Sequence, residues 1–157
     1  MKTFSVTITC MAAFLCVAAL PSSAAPLAQA GKTKSFAQQL VESTMAQHPD
    51  ATEVGIAART ARGCRGIAST DPGDVGERCE AEDVRAMTRG RATAAKEKDG
   101  YDVSLPLHDA AGAVVGAVGI EFKLSAAKTR AEALKAARAI EQEMAAKISS
   151  KAQLTSR

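Results

Sequence analysis

Residues 101–123, YDVSLPLHDAAGAVVGAVGIEFK, read as two long strands joined by a tight turn at Asp109-Ala110-Ala111-Gly112. Successive side chains of a strand point to opposite faces, so Tyr101, Val103, Leu105 and Leu107 share one face of the first strand. On the second strand Val114, Gly116, Val118, Ile120 and Phe122 share a face, and Val115, Ala117, Gly119, Glu121 and Lys123 share the other. Such a hairpin is the rear wall of a curved sheet, and a curved sheet has room for a small ligand. Binding or sensing is the expected activity.

Working outward, Ser35 is placed to cap a helix running to about Gln47, with Phe36, Leu40 and Met45 on its apolar side and Val41 flanking it. His48-Pro49-Asp50 ends it, because the residue before a proline is pushed out of helical space. Thr52 to Arg59 reads as a strand with Val54 and Ile56 inward, and Gly66 to Ser69 as a short second strand. Asp71-Pro72-Gly73-Asp74 is a strong turn signal. Glu80 to Arg89 reads as a helix stopped by Gly90, Ala92 to Lys98 as a strand, and Asp99-Gly100 as the turn into Tyr101. Downstream, Ser125 is the expected cap of a last helix reaching about Ser149. Leu134, Ala137, Ile140, Met144 and Ile148 recur there at helical spacing, as one buried stripe. Strands joined by tight turns pair antiparallel. The predicted fold class is α+β: an antiparallel five-stranded sheet with N-terminal and C-terminal helices that cover one face.

The 157 residues are room for one domain, 31–157, after a leader. Residues 1–30 have the order of a secretory signal peptide: Lys2, then an apolar run from Phe4 to Leu20, then Pro21-Ser22-Ser23-Ala24. Cleavage fits after Ala24 or after Ala30, and an uncleaved membrane anchor is the competing reading, since the run is at the short end of what spans a bilayer. Cys10 and Cys16 lie inside the apolar run, which does not suit a lipoprotein signal. The expected location is periplasmic or secreted. Cys64 and Cys79 would then meet in an oxidising compartment. A disulfide between them closes a loop worth roughly 3 kcal/mol, against the alternative of two free thiols. Loss of Lys2 with the leader takes the formal net charge from +3 to +2, which demands neither nucleic acid nor an anionic membrane. One Tyr, four Phe and no Trp offer little for stacking on bases.

The segment PLHDAAGAVVGAVGI resembles the closing hairpin of PAS-like extracytoplasmic sensor domains of the Cache or PDC class. The resemblance rests on Pro106, Leu107, Asp109, Gly112, Gly116 and Gly119. A leading helix followed by EVGIAART, and a short strand near CRGIAS, are similar to that class too, so the likeness covers most of residues 34–124. It implies a periplasmic small-molecule sensor fold, whose usual relatives are the outer parts of chemoreceptors and histidine kinases. No second membrane span and no signalling domain is read in this chain, so signalling would need a membrane-bound partner.

Each candidate residue has two readings. Asp109 either hydrogen-bonds the amides of its own turn or contacts a ligand, and Gly112 supplies the positive φ that the turn needs. Gly116 and Gly119 fall on opposite faces and serve either close packing or clearance for a ligand, with packing the reading taken for both. Tyr101 is a pocket wall with a polar tip or an ordinary core tyrosine. Arg59 and Arg65, near the cysteine loop, suit a two-pronged grip on a carboxylate or are solvated arginines. Asp71 and Asp74 bind a ligand amine or simply form their turn. Catalysis is not expected: His108 is out of phase with the apolar face and should meet solvent. Ser104, Asp102 and His108 share one strand face but are spaced by about 6–7 Å per step of two residues, with two steps from Ser104 to His108, too far for a nucleophile and its base. No metal spacing and no haem or other cofactor motif is present. The expected function is a ligand-binding sensor-type module without its own output domain. A pocketless interaction module of the same fold is the alternative, in which small residues let the cup collapse and the last helix pairs with another chain.

Overall fold

The computed structural model describes residues 34–156; the expected leader, residues 1–30, lies outside the described residues. The decisive hairpin is formed by β4 (Gly100–His108) and β5 (Val114–Lys123), paired antiparallel in continuous register from Gly100↔Lys123 to Leu107↔Gly116. Asp109 closes the turn by accepting from the amides of Ala111 (3.0 Å) and Ala113 (2.9 Å), and Gly112 takes φ +83°. β5 pairs on its other side with β1 (Ala51–Thr60), which forms a second hairpin with β2 (Gly63–Ser69), while β3 (Thr93–Lys96) pairs with β4. The sheet order is β2-β1-β5-β4-β3, all antiparallel. The fold class is therefore α+β with a five-stranded antiparallel open sheet and helices at both ends of the described chain, as the hairpin alternation predicts.

The apolar alternation decides which face the terminal helices cover. Val54, Ile56, Val103, Leu105, Leu107, Val118, Ile120 and Phe122 form one core with α1 (Phe36–Gln47) and α3 (Arg130–Ala145). α1 begins at Ser35, whose hydroxyl accepts from the Gln38 amide at 3.2 Å, and buries Ala37, Leu40, Val41 and Thr44. Val41 is thus central rather than flanking. α3 starts later than Ser125: Lys123 turns the chain, and Thr129 caps the helix by accepting from the Glu132 amide. The helix ends at Ala145, yet Ile148 stays buried beyond it. A short α4 (Lys151–Thr155) drops Leu154 into the same core. Full burial of each such aliphatic side chain is worth roughly 1.5–3 kcal/mol.

The opposite face is covered only in part. α2 (Ala81–Arg89) crosses β4 and β5, with Ala86 packed on Ala57 and Ala117, and ends at Gly90 in the left-handed region. Three small residues at this contact let the helix approach closely over one end of the sheet and leave the other end uncovered. Cys64 and Cys79 form the expected disulfide, with Cα atoms 5.4 Å apart. It ties the segment before α2 along the outer edge of β2, where Gly66 exchanges backbone hydrogen bonds with Glu77 (3.0 Å) and Gly76 (2.9 Å). A Cβ at position 66 would collide with the Asp74 carbonyl, so only glycine lets the segment lie there. No helix among the described residues is long and apolar enough to cross a membrane.

Candidate functional site

The uncovered end of the second face is a cup of about 250 Å³. Its floor follows from strand register. Gly55 of β1 pairs with Gly119 of β5, which pairs with Ser104 of β4. One step along the strands, Glu53 pairs with Glu121, which pairs with Asp102. The floor is thus a row without bulky side chains beside a row of three carboxylates. A Cβ at Gly119 would meet nothing within 4 Å, so this glycine is clearance, whereas a Cβ at Gly116 on the helix face would stand 2.7 Å from the Ala57 carbonyl. The packing reading holds for Gly116 and is corrected for Gly119.

The walls come from the disulfide-tied segment and from α2. Asp74 and Glu77 stand over β1 and β2, and Glu80 and Asp83 stand over β4 at the start of α2. Seven carboxylates and one guanidinium, that of Arg78, line the cup. The whole chain is formally +3, so this acidity is local and does not mirror composition. Ser69 knits one wall: its hydroxyl donates to Asp74 at 3.1 Å and accepts from the Asp71 amide at 3.0 Å. Ser104 lies on the floor and is 4% exposed, and among the described residues its hydroxyl is partnered by Asp83 at 3.5 Å, a contact at the limit of hydrogen bonding.

Crowding shifts the acids. Burial, then a hydrogen bond with Asp74 and the charges of Glu121, Asp74 and Asp71, pushes the Glu53 carboxyl up to about 7. Burial, then the charges of Glu121, Glu80, Asp83 and Glu97, pushes Asp102 up to about 6. Burial also raises Asp83, against the hydrogen bonds it receives from the Glu80 amide and Ser104. Desolvation leads in all three. Oxygens of Glu53, Asp71 and Asp74 lie within 4.8 Å of one another, a donor set of the kind hard cations prefer.

Of the ligand contacts read from the sequence, Asp74 lines the cup and Asp71 stands at its rim, while the others fall elsewhere. Tyr101 is 9% exposed within the helix-side core, so the pocket-wall reading is corrected: the apolar face is filled by α1, α3 and α4. Asp109 serves its own turn. Arg59 and Arg65 do not reach the cup. They border a broader groove of about 850 Å³ with Arg62 and the end of α4, where Arg65 Nη1 donates to the Gly76 carbonyl at 3.1 Å. Asp71 accepts from the Gly73 amide at 2.7 Å, and its carboxylate stands at the acidic rim. His108 is also a correction. A register shift between Leu107 and His108 turns the ring to the helix side, where Nδ1 lies 2.9 Å from Glu141 Oε1. Reading only the apolar phase missed Glu53, Asp102, Ser104 and Glu121; the signal was the opposite phase of the same strands, where glycines and acids alternate.

No family model matches the sequence, and no curated protein matches it.

Proposed function

We propose that this chain is an exported, PAS-like binding module of the Cache type, and that its acidic cup holds a small organic amine. The observation that carries the reading is the cup itself: seven carboxylates against one arginine around a glycine-cleared floor. Such a lining attracts an ammonium group and repels a carboxylate. The cup is a little smaller than the roughly 300–1,000 Å³ of drug-sized sites, which suits a metabolite of few atoms. It is also larger than the collapsed hollow that a pocketless interaction module would need. The disulfide supports export to an oxidising compartment. The reading is of binding without catalysis, with any output carried by a separate membrane-bound protein. Support comes from His108, which is held by Glu141 on the helix side, while Ser104 and Asp102 face the cup.

Thermal-shift measurement on the purified, oxidised protein tests this. An amine at a hundredfold excess over its Kd adds about 2.7 kcal/mol, a rise of several degrees. Primary amines should raise the melting temperature and organic acids should not. A response to carboxylates with none to amines would defeat the assignment.

A further inference from the structure

The groove of about 850 Å³ has the opposite charge to the cup. It is bounded by the β1–β2 turn, the tied segment, the start of α1 and the end of α4. Arg59, Arg62 and Arg65 line it, and among the described residues no aspartate or glutamate does. The ion pairs among the described residues join Lys34 to Glu42, His48 to Glu143, Arg85 to Glu82 and His108 to Glu141, so no carboxylate there neutralises any of the three guanidiniums. Two of the arginines sit on fixed backbone. Thr60 Oγ1 accepts from the Arg62 amide at 3.1 Å and donates to the Gly63 carbonyl at 2.9 Å, which closes the β1–β2 turn. Arg65 gives one N–H to the Gly76 carbonyl at 3.1 Å, and its remaining donors are open to a ligand. Val75, 47% exposed, is the most exposed large hydrophobic side chain among the described residues, and it lines the same groove beside the half-buried Ile67.

Resting on the reading that output belongs to a separate protein, we propose that this groove is where that protein docks, by inserting a segment with acidic and a few apolar side chains. Three like charges held near one another repel, and a partner of opposite sign relieves this. The residues outside the described range do not supply that sign: residues 1–33 contain no aspartate or glutamate, and residue 157 is an arginine. Arginine beside exposed apolar side chains, with no lysine in the lining, is the make-up of a protein-binding surface. The guanidiniums grip carboxylates through parallel N–H···O bonds, and Val75 and Ile67 receive the apolar side chains. Strand register argues for an extended occupant. Cys64 lies opposite Arg59 and Ala58 lies opposite Arg65, so the two arginines start from opposite faces of the hairpin. Their charge is spread along the groove, which suits an acidic chain segment better than a single small anion or a flat lipid surface.

Fluorescence anisotropy of a labelled peptide of glutamates interrupted by leucines, titrated with the purified, oxidised protein, tests the docking. The peptide should bind, and raising the salt from about 0.05 M to about 0.3 M should weaken it roughly tenfold. The same peptide with glutamines for glutamates should not bind. Arg65→Ala should weaken binding roughly tenfold. Arg62→Gln should weaken it several-fold with the melting temperature held, since this side chain is exposed on its turn. Arg89→Gln removes the same charge from the exposed end of α2 and should change nothing. Equal losses on Arg62→Gln and Arg89→Gln would reduce the effect to net charge and overturn the groove, and binding of the glutamine peptide would overturn the acidic partner. No binding of the glutamate peptide at low salt would overturn the docking itself. Binding to vesicles of anionic phospholipid in its place would give the groove to a membrane, and a dimer in sedimentation that Arg62→Gln dissolves would give it to a second copy; either overturns the partner. The melting response to amines reads the cup separately. Amine silence beside peptide binding defeats the cup reading alone, and the reverse result defeats the docking alone.

Discussion

Gly119 and Glu53 show how much one position decides. Gly119 sits mid-strand with open space where a side chain would go. Valine has a higher strand propensity and restricts the unfolded chain more. Gly119→Val should therefore hold or raise the melting temperature while abolishing the response to amines. A variant that both unfolds and loses binding would show that the space belongs to packing. Leu105, 2% exposed on the other face, is the contrast: Leu105→Ala should cost roughly 2–5 kcal/mol in denaturant titration. Glu53 makes stability depend on pH. Its proton is held more tightly in the folded chain than in the unfolded one, as is that of Asp102. The contribution is fully present below the ordinary carboxylate range and is lost as pH rises through about 6 and then about 7. The ligand-free protein should lose more stability between about pH 5 and pH 8 than Glu53→Gln does, with the variant a few degrees more stable at the upper end. Parallel pH dependences of melting for the two proteins would refute the account of Glu53 as a carboxyl held protonated by burial and its acidic neighbours.

At the scale of elements, α3 is pinned to β4 by Glu141, 8% exposed, whose Oε1 accepts from both the His108 amide (3.0 Å) and the His108 ring (2.9 Å). Glu141→Ala strands that amide, and should cost about 1–3 kcal/mol; Glu141→Gln keeps an acceptor and should cost less. Equal losses in chemical denaturation would mean that charge, and not the acceptor, is what matters. The disulfide-tied segment is the other element with a separable role. Reducing Cys64–Cys79 should cost about 3 kcal/mol and weaken amine uptake further than that loss alone explains, because the segment carries the Asp74 and Glu77 wall. Unchanged affinity in the reduced, folded protein would separate the wall from binding. Strands and caps with local chemistry were legible in the chain: the Asp109–Gly112 turn, Ser35 before α1 and Gly90 after α2. The start of α3 was not, because Ser125 and Thr129 are equally good caps on paper. The turn anchored by the Lys123 carbonyl selects the second.

Over the whole molecule, the sheet has one dry face and one wet face. Alternation in β4 and β5 reveals two faces but not their uses, and the pocket-wall reading of Tyr101 would put the cavity on the apolar side. Three helices fill that side, since burying it is what stabilises the fold. The side of the proposed ligand is the one on which Glu53, Asp102 and Glu121 line up. That alignment depends on β1 meeting β5, strands with residues 61–113 between them, so no local window displays it. The tie at Cys64–Cys79 also sets a schedule. Thiols join only where the surroundings oxidise them. On the proposed route of export, a newly made chain would therefore keep its acidic receptacle half-built until it reached oxidising surroundings.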